Sequence, residues 1–349
     1  MKLACPAPLW RHDRVVLGHG SGGKLSAELL RDVFLPALGN EILDRMEDQA
    51  TCTLQGLGGG ARIALTTDAF VVRPLFFPGG DIGKLAIHGT VNDLAVGGAE
   101  PKLITAAFIL EEGLALADLE RIARSMRVAC DEAGVQLVAG DTKVVDRGKA
   151  DGVFITTAGV GLVPAGRSLS ISAARPGDRV LVSGTLGDHG IAIMSVREGL
   201  EFETVLQSDT ASLAGLTRVM LSACPSIRCM RDPTRGGLAS ALNEMATASG
   251  VGIELREADI PLEAAVKSAC ELLGLDPLYV ACEGRLVCAV PARDSERCLA
   301  AMREHPLGRR AADIGAVCEE HPGVVTAKTV VGGERVVSML AGEQLPRIC

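Results

Sequence analysis

Runs of β-branched residues alternate with amphipathic stretches along the first half of the chain. Apolar residues recur every three or four positions over 117–133 and stop at Gly134, which predicts a helix. A second helix is predicted over 81–96, before a pair of glycines. Short apolar runs predict strands over 62–67, 102–110, 135–139 and 153–163. Strands that alternate with helices indicate an α+β fold built from α/β layers.

A turn-rich segment, Ala-Arg-Pro-Gly-Asp at 174–178, interrupts this pattern and indicates a domain boundary. Beyond it, the pattern predicts a strand over 179–183 and helices over 188–197, 208–221, 236–249 and 261–273. It also predicts a hairpin in which 279–281 and 285–290 flank a turn. The predicted organisation is a first domain over 1–173, a second over 174–335, and a final strand with a mobile tail over 336–349.

The composition excludes several classes of protein. The chain has 349 residues, 48% of them apolar, and a net charge of −8. The apolar content excludes a disordered chain, and the length suggests two domains of about 100–200 residues each. The acidic balance argues against a nucleic-acid partner, and no run of about 18 apolar residues is present to span a membrane. Eleven cysteines without a secretory signal predict a cytoplasmic protein with reduced thiols.

A glycine-rich loop, Gly-His-Gly-Ser-Gly-Gly-Lys at 18–24, precedes a predicted helix. It nearly fits a P-loop, but Leu25 stands where a Ser or Thr would contact magnesium, so it is not a true Walker loop. Its bare backbone N–H groups would still let a phosphate approach closely. We interpret the loop as a candidate phosphate lid, with a flexible entry loop as the alternative. The residues of this candidate lid are Gly20, Ser21, Gly22, Gly23 and Lys24.

Three aspartates, Asp68, Asp93 and Asp141, lie beside small residues at predicted strand ends or on a predicted helix. Gly89 and Asp93 share a helix face by their four-residue spacing, and a carboxylate on a buried face is costly unless it is paired or metal-bound. Magnesium takes carboxylate oxygens, usually together with substrate phosphates. The trio therefore predicts a Mg²⁺ site. Helix caps and turn residues are the alternative, since Asp favours both.

Two cationic residues and one thiol complete the candidate chemistry. Lys143, two residues after Asp141, could neutralise a transferring phosphoryl group or carry a proton, or it could simply pair with Asp141 in solvent. Arg235 lies at a glycine-rich helix start, which suits an anion, although a plain capped helix is equally consistent. Cys349 is the last residue of the sequence, where packing explains a cysteine poorly. An accidental tail thiol remains the alternative.

Taken in order, these segments resemble one known family. The matching motifs are Gly-His-Gly-Ser-Gly-Gly-Lys at 18–24, Gly-Thr-Val-Asn-Asp at 89–93, Gly-Asp-Thr-Lys at 140–143, Asp-His-Gly at 188–190, Asp-Pro-Thr-Arg-Gly-Gly at 232–237 and Pro-Arg-Ile-Cys at 346–349. The sequence resembles the hydrogenase maturation family HypE, in the superfamily of aminoimidazole ribonucleotide (AIR) synthetase and selenophosphate synthetase. The resemblance implies a PurM-like two-domain fold. The N-terminal domain would form a β-barrel shared across a homodimer, and the C-terminal α/β domain would cover an ATP cleft.

The resemblance also implies a reaction. A HypF-type carbamoyltransferase would place a carbamoyl group on the sulfur of Cys349. ATP would phosphorylate the carbamoyl oxygen, and loss of phosphate would leave a protein thiocyanate. The cyanide would then pass to the iron of a [NiFe]-hydrogenase precursor held by HypC and HypD. In this scheme Glu283 is the base, Lys143 assists it, and Mg²⁺ bridges the ATP phosphates.

The resemblance adds Asn92 and Thr142 to the residues expected to bind ATP. Two other functions remain open at this stage. The chain could be a non-catalytic carrier that only presents the Cys349 thiol, or a sibling enzyme similar to selenophosphate synthetase. The second alternative would leave a terminal cysteine without a role, because that enzyme uses an N-terminal Cys or selenocysteine near a lysine. The setting of Cys5 does not match this requirement.

Overall fold

The structure is a computed structural model that describes residues 14–54, 62–199, 206–340, 342 and 348–349. Within these residues the strands form two large sheets and one two-stranded ribbon. The strands are β1 (Ala50–Thr53), β2 (Arg62–Phe70), β3 (Phe76–Phe77), β4 (Gly80–Asp81), β5 (Glu100–Glu111), β6 (Gln136–Val145), β7 (Val153–Leu162), β8 (Asp178–Val182), β9 (Cys229–Arg231), β10 (Gly252–Arg256), β11 (Val287–Pro291), β12 (Ala312–Cys318), β13 (Val325–Lys328) and β14 (Glu334–Val336).

Helices cover the sheets. The α-helices are α1 (Lys24–Leu29), α2 (Leu35–Leu38), α3 (Ile82–Val96), α4 (Leu116–Ala133), α5 (Asp188–Glu198), α6 (Ala214–Ala223), α7 (Gly237–Ser249), α8 (Ala264–Leu273) and α9 (Ala292–Glu304). A π-helical turn, Leu30–Phe34, joins α1 to α2. Short 3-10 helices occur at Leu17–Gly20, Leu43–Arg45, Ile171–Ala173, Glu257–Asp259, Pro277–Tyr279 and Pro306–Gly308. Strands and helices thus alternate in layers, which confirms the predicted fold class.

The first sheet has the strand order β1-β2-β7-β5-β6, with β6 parallel to β5 and every other neighbouring pair antiparallel. Helix α3 packs on one face against β2, β5 and β7, and α4 packs against α3. Side chains alternate between the two faces of a strand. Accordingly Ala64 and Phe70 are buried beneath α3, whereas Leu65 and Ala69 are exposed on the opposite face.

Helix α3 lies at the centre of the molecule. The Asp81 carboxylate caps its start by accepting hydrogen bonds from the N–H groups of Gly83 (2.8 Å) and Lys84 (3.1 Å). Of its 15 residues, all except Lys84 and Asp93 are buried, because the helix packs against the first sheet and also against α4 and α6. A helix covered on nearly every side brings its side chains into contact with both domains.

The second sheet has the order β14-β13-β10-β12-β8-β11-β9. Its alternating side chains fill two separate cores. Val180 and Val182 of β8 pack in the core that contains α7, whereas Leu181 between them packs in the core of α6 and α9. The sheet is therefore covered on both faces, in contrast to the first one. Within the described residues, no helix combines the length and apolar content that crossing a bilayer requires.

Several local predictions are wrong. Pro277–Tyr279 forms a 3-10 turn, and β11 pairs with β8 and β9, so the predicted hairpin does not form. Strands β2 and β6 continue through Asp68 and Asp141, which the pattern predicts at strand ends. Strand β14 ends at Val336, where a strand was expected to begin. Partner choice in a sheet depends on long-range packing that a short pattern does not contain.

Replacing Asp81 by alanine removes two capping hydrogen bonds at the start of the central helix. We expect Asp81→Ala to lower the free energy of unfolding by about 1 kcal/mol, within the range of about 0.5–2 kcal/mol for lost N-caps. Asp81→Asn keeps a carbonyl acceptor and should recover most of this loss. Urea unfolding followed by circular dichroism measures both variants. An alanine variant as stable as the asparagine variant would refute the capping role.

Candidate active site

Three carboxylates from distant parts of the sequence converge at the seam between the two sheets. Asp48 follows the 3-10 helix Leu43–Arg45, Asp93 lies on α3, and Asp232 directly follows β9. One carboxylate oxygen of each lies within 4.8 Å of the others. Arg231 pairs with Asp48 at 2.5 Å. Among the described residues, this acidic cluster is the group whose spacing suits a metal ion.

The acidic cluster needs positive charge. Burial, and then repulsion from Asp232, raises the pKa of Asp93 well above its ordinary range. Burial likewise raises the pKa of Asp48 to about 8 and that of Asp232 to about 6. The Thr66 hydroxyl lies 2.8 Å from Asp93 Oδ2 and 2.9 Å from the carbonyl oxygen of Asp48, yet it has a single proton to donate. Both oxygens are acceptors, so only one of them can receive the Thr66 proton. A proton bound to Asp93, or a cation bound in place of that proton, removes the resulting repulsion between oxygens. A donor set made only of carboxylate oxygens fits Mg²⁺.

Asp68, predicted as a magnesium ligand, lies beside this cluster. Its Oδ1 is 3.9 Å from the Arg235 guanidinium, and its charge adds to the repulsion that raises the pKa of Asp93. Burial raises the pKa of Asp68 itself. Gly89 lies one turn before Asp93 on α3. The Phe70 ring fills the space beside it, because a Cβ on Gly89 would lie 2.9 Å from that ring. The structure therefore brings Asp68 and Asp93 together.

Within one chain, Asp141 lies far from the acidic cluster. The strand register aligns it with Ala107, Thr156 and Ala69 across the first sheet. Asp68 is one residue before Ala69, so its side chain lies on the opposite face of the sheet. Three strand spacings, about 14 Å in all, separate the two positions. A single chain therefore does not bring Asp141 to the acidic cluster.

Thr142 and Lys143 lie on the same exposed strand β6. The Lys143 ammonium pairs with Asp141 at 2.9 Å, and the Thr142 N–H donates to Asp141 Oδ1 at 2.8 Å. Exposed pairs of this kind contribute little to stability. Strand β6 is the edge of the first sheet, and nine of its ten residues are exposed. The exposed side chains of this strand are therefore accessible to a second molecule.

Asn92 joins the two domains. Its side-chain N–H donates to the carbonyl oxygens of Ala211 (3.0 Å) and Glu283 (3.2 Å), and its Oδ1 accepts from the Leu213 N–H (2.7 Å). The side chain is buried, with 1% exposure. These contacts hold helix α3 against the loop that carries Glu283.

Glu283 is buried with 3% exposure, in the loop before β11. Its N–H donates to Asp209 Oδ1 at 3.0 Å, while its Oε1 has no hydrogen-bond partner among the described residues. Burial, followed by repulsion from Asp232 and Asp68, raises the pKa of Glu283 well above its ordinary range, and Arg235 lowers it in part. A buried carboxyl oxygen without a partner can accept a proton from a bound substrate.

The Cys349 thiol lies in the same region. The Val71 N–H donates to a carboxylate oxygen of Cys349 at 3.1 Å, and the Ile348 side chain is buried in the core that contains residues of α3 and α4. Burial raises the pKa of the Cys349 thiol to about 12, against the opposing effect of Arg235. Glu283 and Asp68 also raise it, so all four groups share one site. In this position the sulfur is a neutral thiol.

The glycine-rich loop borders the same site. Gly22 has φ +71°, and a Cβ on it would lie 2.6 Å from the Arg235 carbonyl oxygen. Gly23 packs against the backbone of Leu340, whose carbonyl accepts from the Lys24 N–H at 2.7 Å. The loop is thus held between the start of α7 and the tail. Gly20 and Ser21 belong to the turn that leads into this contact, where the Ser21 hydroxyl donates to the Gly18 carbonyl at 2.8 Å.

Sequence reasoning missed two members of the acidic cluster. Asp232 lies in a motif that was interpreted only as an anion-binding helix start, and its neighbour Arg235 does lie at the site. Asp48 lies in a short loop, where no pattern distinguishes it from any surface acid. The sequence feature that could have indicated Asp232 is the Asp-Pro-Thr-Arg-Gly-Gly segment, because it places this acid three residues before Arg235, which was predicted to bind an anion.

Comparison with known proteins gives consistent matches. Residues 46–163 match the family AIR synthase related protein, N-terminal domain, and residues 175–328 match its C-terminal domain. The chain is 55% identical to the carbamoyl dehydratase HypE of Cupriavidus necator, with 100% of this chain and 99% of that protein covered. A crystal structure of hydrogenase maturation protein HypE in complex with ATP is 46% identical, with a TM-score of 0.80, covering 96% of this chain and 100% of that one. A crystal structure of a HypE–HypF complex is 48% identical, with a TM-score of 0.84, covering 89% and 99%.

The acidic cluster predicts that magnesium affinity depends on pH. Because the folded-state pKa of Asp48 is raised, the cation-free fold holds a proton there, and its stability falls as the pH rises towards about 8. A cation must displace this proton. We therefore expect the affinity for Mg²⁺ to increase by up to about tenfold per pH unit between about pH 6 and pH 8. Thermal-shift titration without nucleotide measures this change.

Asp48→Asn should weaken magnesium binding and flatten its pH dependence. Asp44→Asn, an exposed neighbour in the sequence, is the control and should behave as wild type. An affinity for Mg²⁺ that is the same at both ends of this pH range would argue against the acidic cluster as the cation site.

Proposed function

The chain belongs to the family of the carbamoyl dehydratase HypE, and on that premise we propose that its Cys349 thiol carries the carbamoyl group that ATP-dependent dehydration converts to a thiocyanate. One observation carries the proposal: the thiol lies in the site that also contains Arg235, Glu283 and Asp68. A sulfur that only presented a group to partners would have no reason to lie half-buried among these residues. The location of Cys349 therefore favours catalysis over a carrier function.

The reaction balances with the groups available. The carbamoyl oxygen attacks the γ-phosphorus of ATP, and ADP leaves as one N–H proton passes to a base. The product is a phosphorylated S–C(=NH)–O group. Loss of the second N–H proton then breaks the C–O bond, forms the C≡N bond and releases phosphate. The net change is removal of the elements of water from the carbamoyl group, driven by conversion of ATP to ADP and phosphate.

Glu283 is the proposed base. Its raised pKa makes its carboxylate a stronger proton acceptor than an ordinary glutamate, and its Oε1 is free for a substrate N–H. The Arg235 guanidinium, beside Cys349, would balance the charge of the phosphorylated intermediate. Exclusion of water around the buried Glu283 carboxyl would protect the intermediate from hydrolysis.

The nucleotide would lie between the glycine-rich loop and the acidic cluster. Within the loop Gly20, Ser21, Gly22, Gly23 and Lys24, the Gly23 N–H and the Lys24 ammonium would contact its phosphates, since the N–H groups of Ser21, Gly22 and Lys24 already donate to Gly18, Ser26 and Leu340. Asp48, Asp93 and Asp232 would hold Mg²⁺, with Asp68 beside them, and the bound ion would neutralise phosphate charge. Asn92 supports this arrangement by fixing α3 to the Glu283 loop.

We propose that the chain acts as a homodimer through its first sheet. Among the described residues nothing covers one face of this sheet, which exposes apolar side chains such as Leu103 and Ile109, and no described strand pairs with the outer side of the edge strand β6. An open edge and an apolar face together favour pairing with another sheet. A second copy would complete a shared barrel. Asp141, Thr142 and Lys143 could then reach the nucleotide of the partner chain.

The partners follow from the same chemistry. The structure of a HypE–HypF complex supports a HypF-type carbamoyltransferase as the donor. In its docked position the thiol has a pKa of about 12, and a neutral thiol is a poor nucleophile. Loading therefore requires the tail to leave the site, and dehydration requires it to return. The thiocyanate would afterwards be presented to a HypC–HypD-type complex.

We place these steps in the cytoplasm, because the cysteines in the described residues are free thiols.

Glu283→Gln tests the catalytic assignment. The variant keeps the size of the side chain but loses the proton acceptor, so we expect the dehydration rate to fall by about 10²–10⁴-fold with ATP binding retained. Intact-mass measurement after incubation with the carbamoyltransferase, carbamoyl phosphate and ATP should show a carbamoyl adduct on Cys349 that loses one water in the wild type only. Glu296→Gln, on the exposed side of α9, is the matched control. Normal loss of water in Glu283→Gln would overturn the assignment.

The dimer is tested by a charge on the uncovered face. Leu103→Asp places a carboxylate on the apolar face that the proposed dimer would bury, and we expect association to weaken by about 100-fold or more because an unpaired charge would lose its water. Leu272→Asp, on a leucine of α8 with 70% exposure, is the control. Analytical ultracentrifugation reports the mass of the particle. A monomeric wild type, or a Leu103→Asp variant that remains dimeric, would contradict the shared barrel.

A further inference from the structure

His189 is a fully buried histidine for which the proposed reaction has no use. It lies in the first turn of α5, with its ring edge-on to Phe77 at 5.5 Å between centroids. Its Nε2 lies 2.5 Å from the carbonyl oxygen of Ile348, and its Nδ1 lies 2.7 Å from the hydroxyl of Ser208. A buried ring with a contact on each nitrogen is fixed in orientation.

The hydrogen-bond partners determine the tautomer. The Ile348 carbonyl can only accept, so Nε2 must carry a proton. Burial lowers the pKa of His189 to about 4, so the ring is neutral and Nδ1 carries no proton. Ser208 therefore donates its hydroxyl proton to Nδ1, while the same hydroxyl oxygen accepts from the Thr210 N–H at 3.1 Å. Every polar group in this chain of contacts is satisfied.

These contacts attach the end of the tail to the catalytic loop. Besides the His189 contact, the described tail end is held by the Val71 N–H on Cys349 and by burial of the Ile348 side chain. The residue after His189, Gly190, donates its N–H to the Ala281 carbonyl at 3.1 Å, two residues before Glu283. The ring therefore connects the residue that precedes the thiol with the backbone that carries the proposed base.

We propose that His189 is a positioning residue whose Nε2–H holds the Ile348 carbonyl and so keeps the Cys349 sulfur docked beside Glu283 during the ATP-dependent step, with Ser208 fixing the tautomer. This inference rests on the proposed function, in which Cys349 bears the reacting group. Loading by the carbamoyltransferase occurs with the tail undocked and does not use the contact. Dehydration occurs with the tail docked and therefore uses the contact.

Two substitutions at His189 distinguish the effect of its hydrogen bond from the effect of its side-chain packing. His189→Leu fills the space without a donor, whereas the amide of His189→Gln can supply an N–H near the position of Nε2 and an oxygen towards Ser208. The first readout is the rate at which iodoacetamide alkylates Cys349, which reports the undocked fraction. Cleavage after Glu343 isolates the peptide 344–349 for mass spectrometry, whereas trypsin would leave only a dipeptide.

We expect His189→Leu to raise the alkylation rate by about 3–10-fold, the effect of one lost hydrogen bond, and His189→Gln to stay within about twofold of wild type. The second readout is the loss of water from the carbamoylated protein, whose rate constant should fall in His189→Leu while the KM for ATP stays unchanged and carbamoyl loading is not slowed. If His189→Leu does not fold, Ser208→Ala should shift the alkylation rate in the same direction by a smaller factor.

The outcomes distinguish this inference from the proposed function. Equal alkylation rates in the wild type and His189→Leu would overturn the positioning role and leave the function of Cys349 untouched. Equal increases in the Leu and Gln variants would assign His189 to packing alone, which also overturns it. If the carbamoylated wild type never loses water, the proposed function fails, while the alkylation rates still report whether His189 holds the tail.

Discussion

Repulsion between partly buried carboxylates at the seam of the two sheets is the constraint on which the site depends. Asp48, Asp93 and Asp232 come close enough to share one cation, and Asp68 and Glu283 add negative charge nearby. Burial alone would favour protonated acids at all five positions. The arrangement is stable only with protons, arginines or a divalent ion to offset the charge. The donor set suits a divalent ion that also binds phosphate, and the same desolvation raises the pKa of Glu283, the proposed base.

In the proposed reaction, the same desolvation separates the chemistry of the Cys349 thiol into two stages. Docked beside Arg235, Cys349 is kept neutral, and it is therefore unsuited to attack a carbamoyl donor there. Once carbamoylated, the sulfur has no proton to lose, and burial then favours the reaction by excluding water. The contacts that hold the tail must consequently be strong enough to dock it and weak enough to release it. One carbonyl hydrogen bond from His189, one from the Val71 N–H and one buried isoleucine are modest forces of this kind.

Elements with strong local signals were predicted well from the sequence. Helix α4 follows its predicted range within one residue, because its apolar spacing and the glycine at its end are both local features. Helix α3 was predicted over 81–96, one residue too early, because Asp81 is the N-cap and not a residue of the helix. The hairpin around Glu283 was predicted wrongly, because β11 finds its partners in β8 and β9, far away in the sequence. The composition of a short segment does not contain that information.

The sequence by itself determined which chemical groups are available: the Cys349 thiol, a glycine-rich loop, a helix that carries Asp93, and the motifs of a known family. Tertiary structure decided which of them meet. Strand register put Asp141 and Asp68 on opposite faces of one sheet, since a shift of a single residue reverses the direction of a side chain. Packing of the second sheet against α3 brought Asp232 to Asp93. These outcomes depend on contacts between residues far apart in the chain, and local patterns carry no record of such contacts.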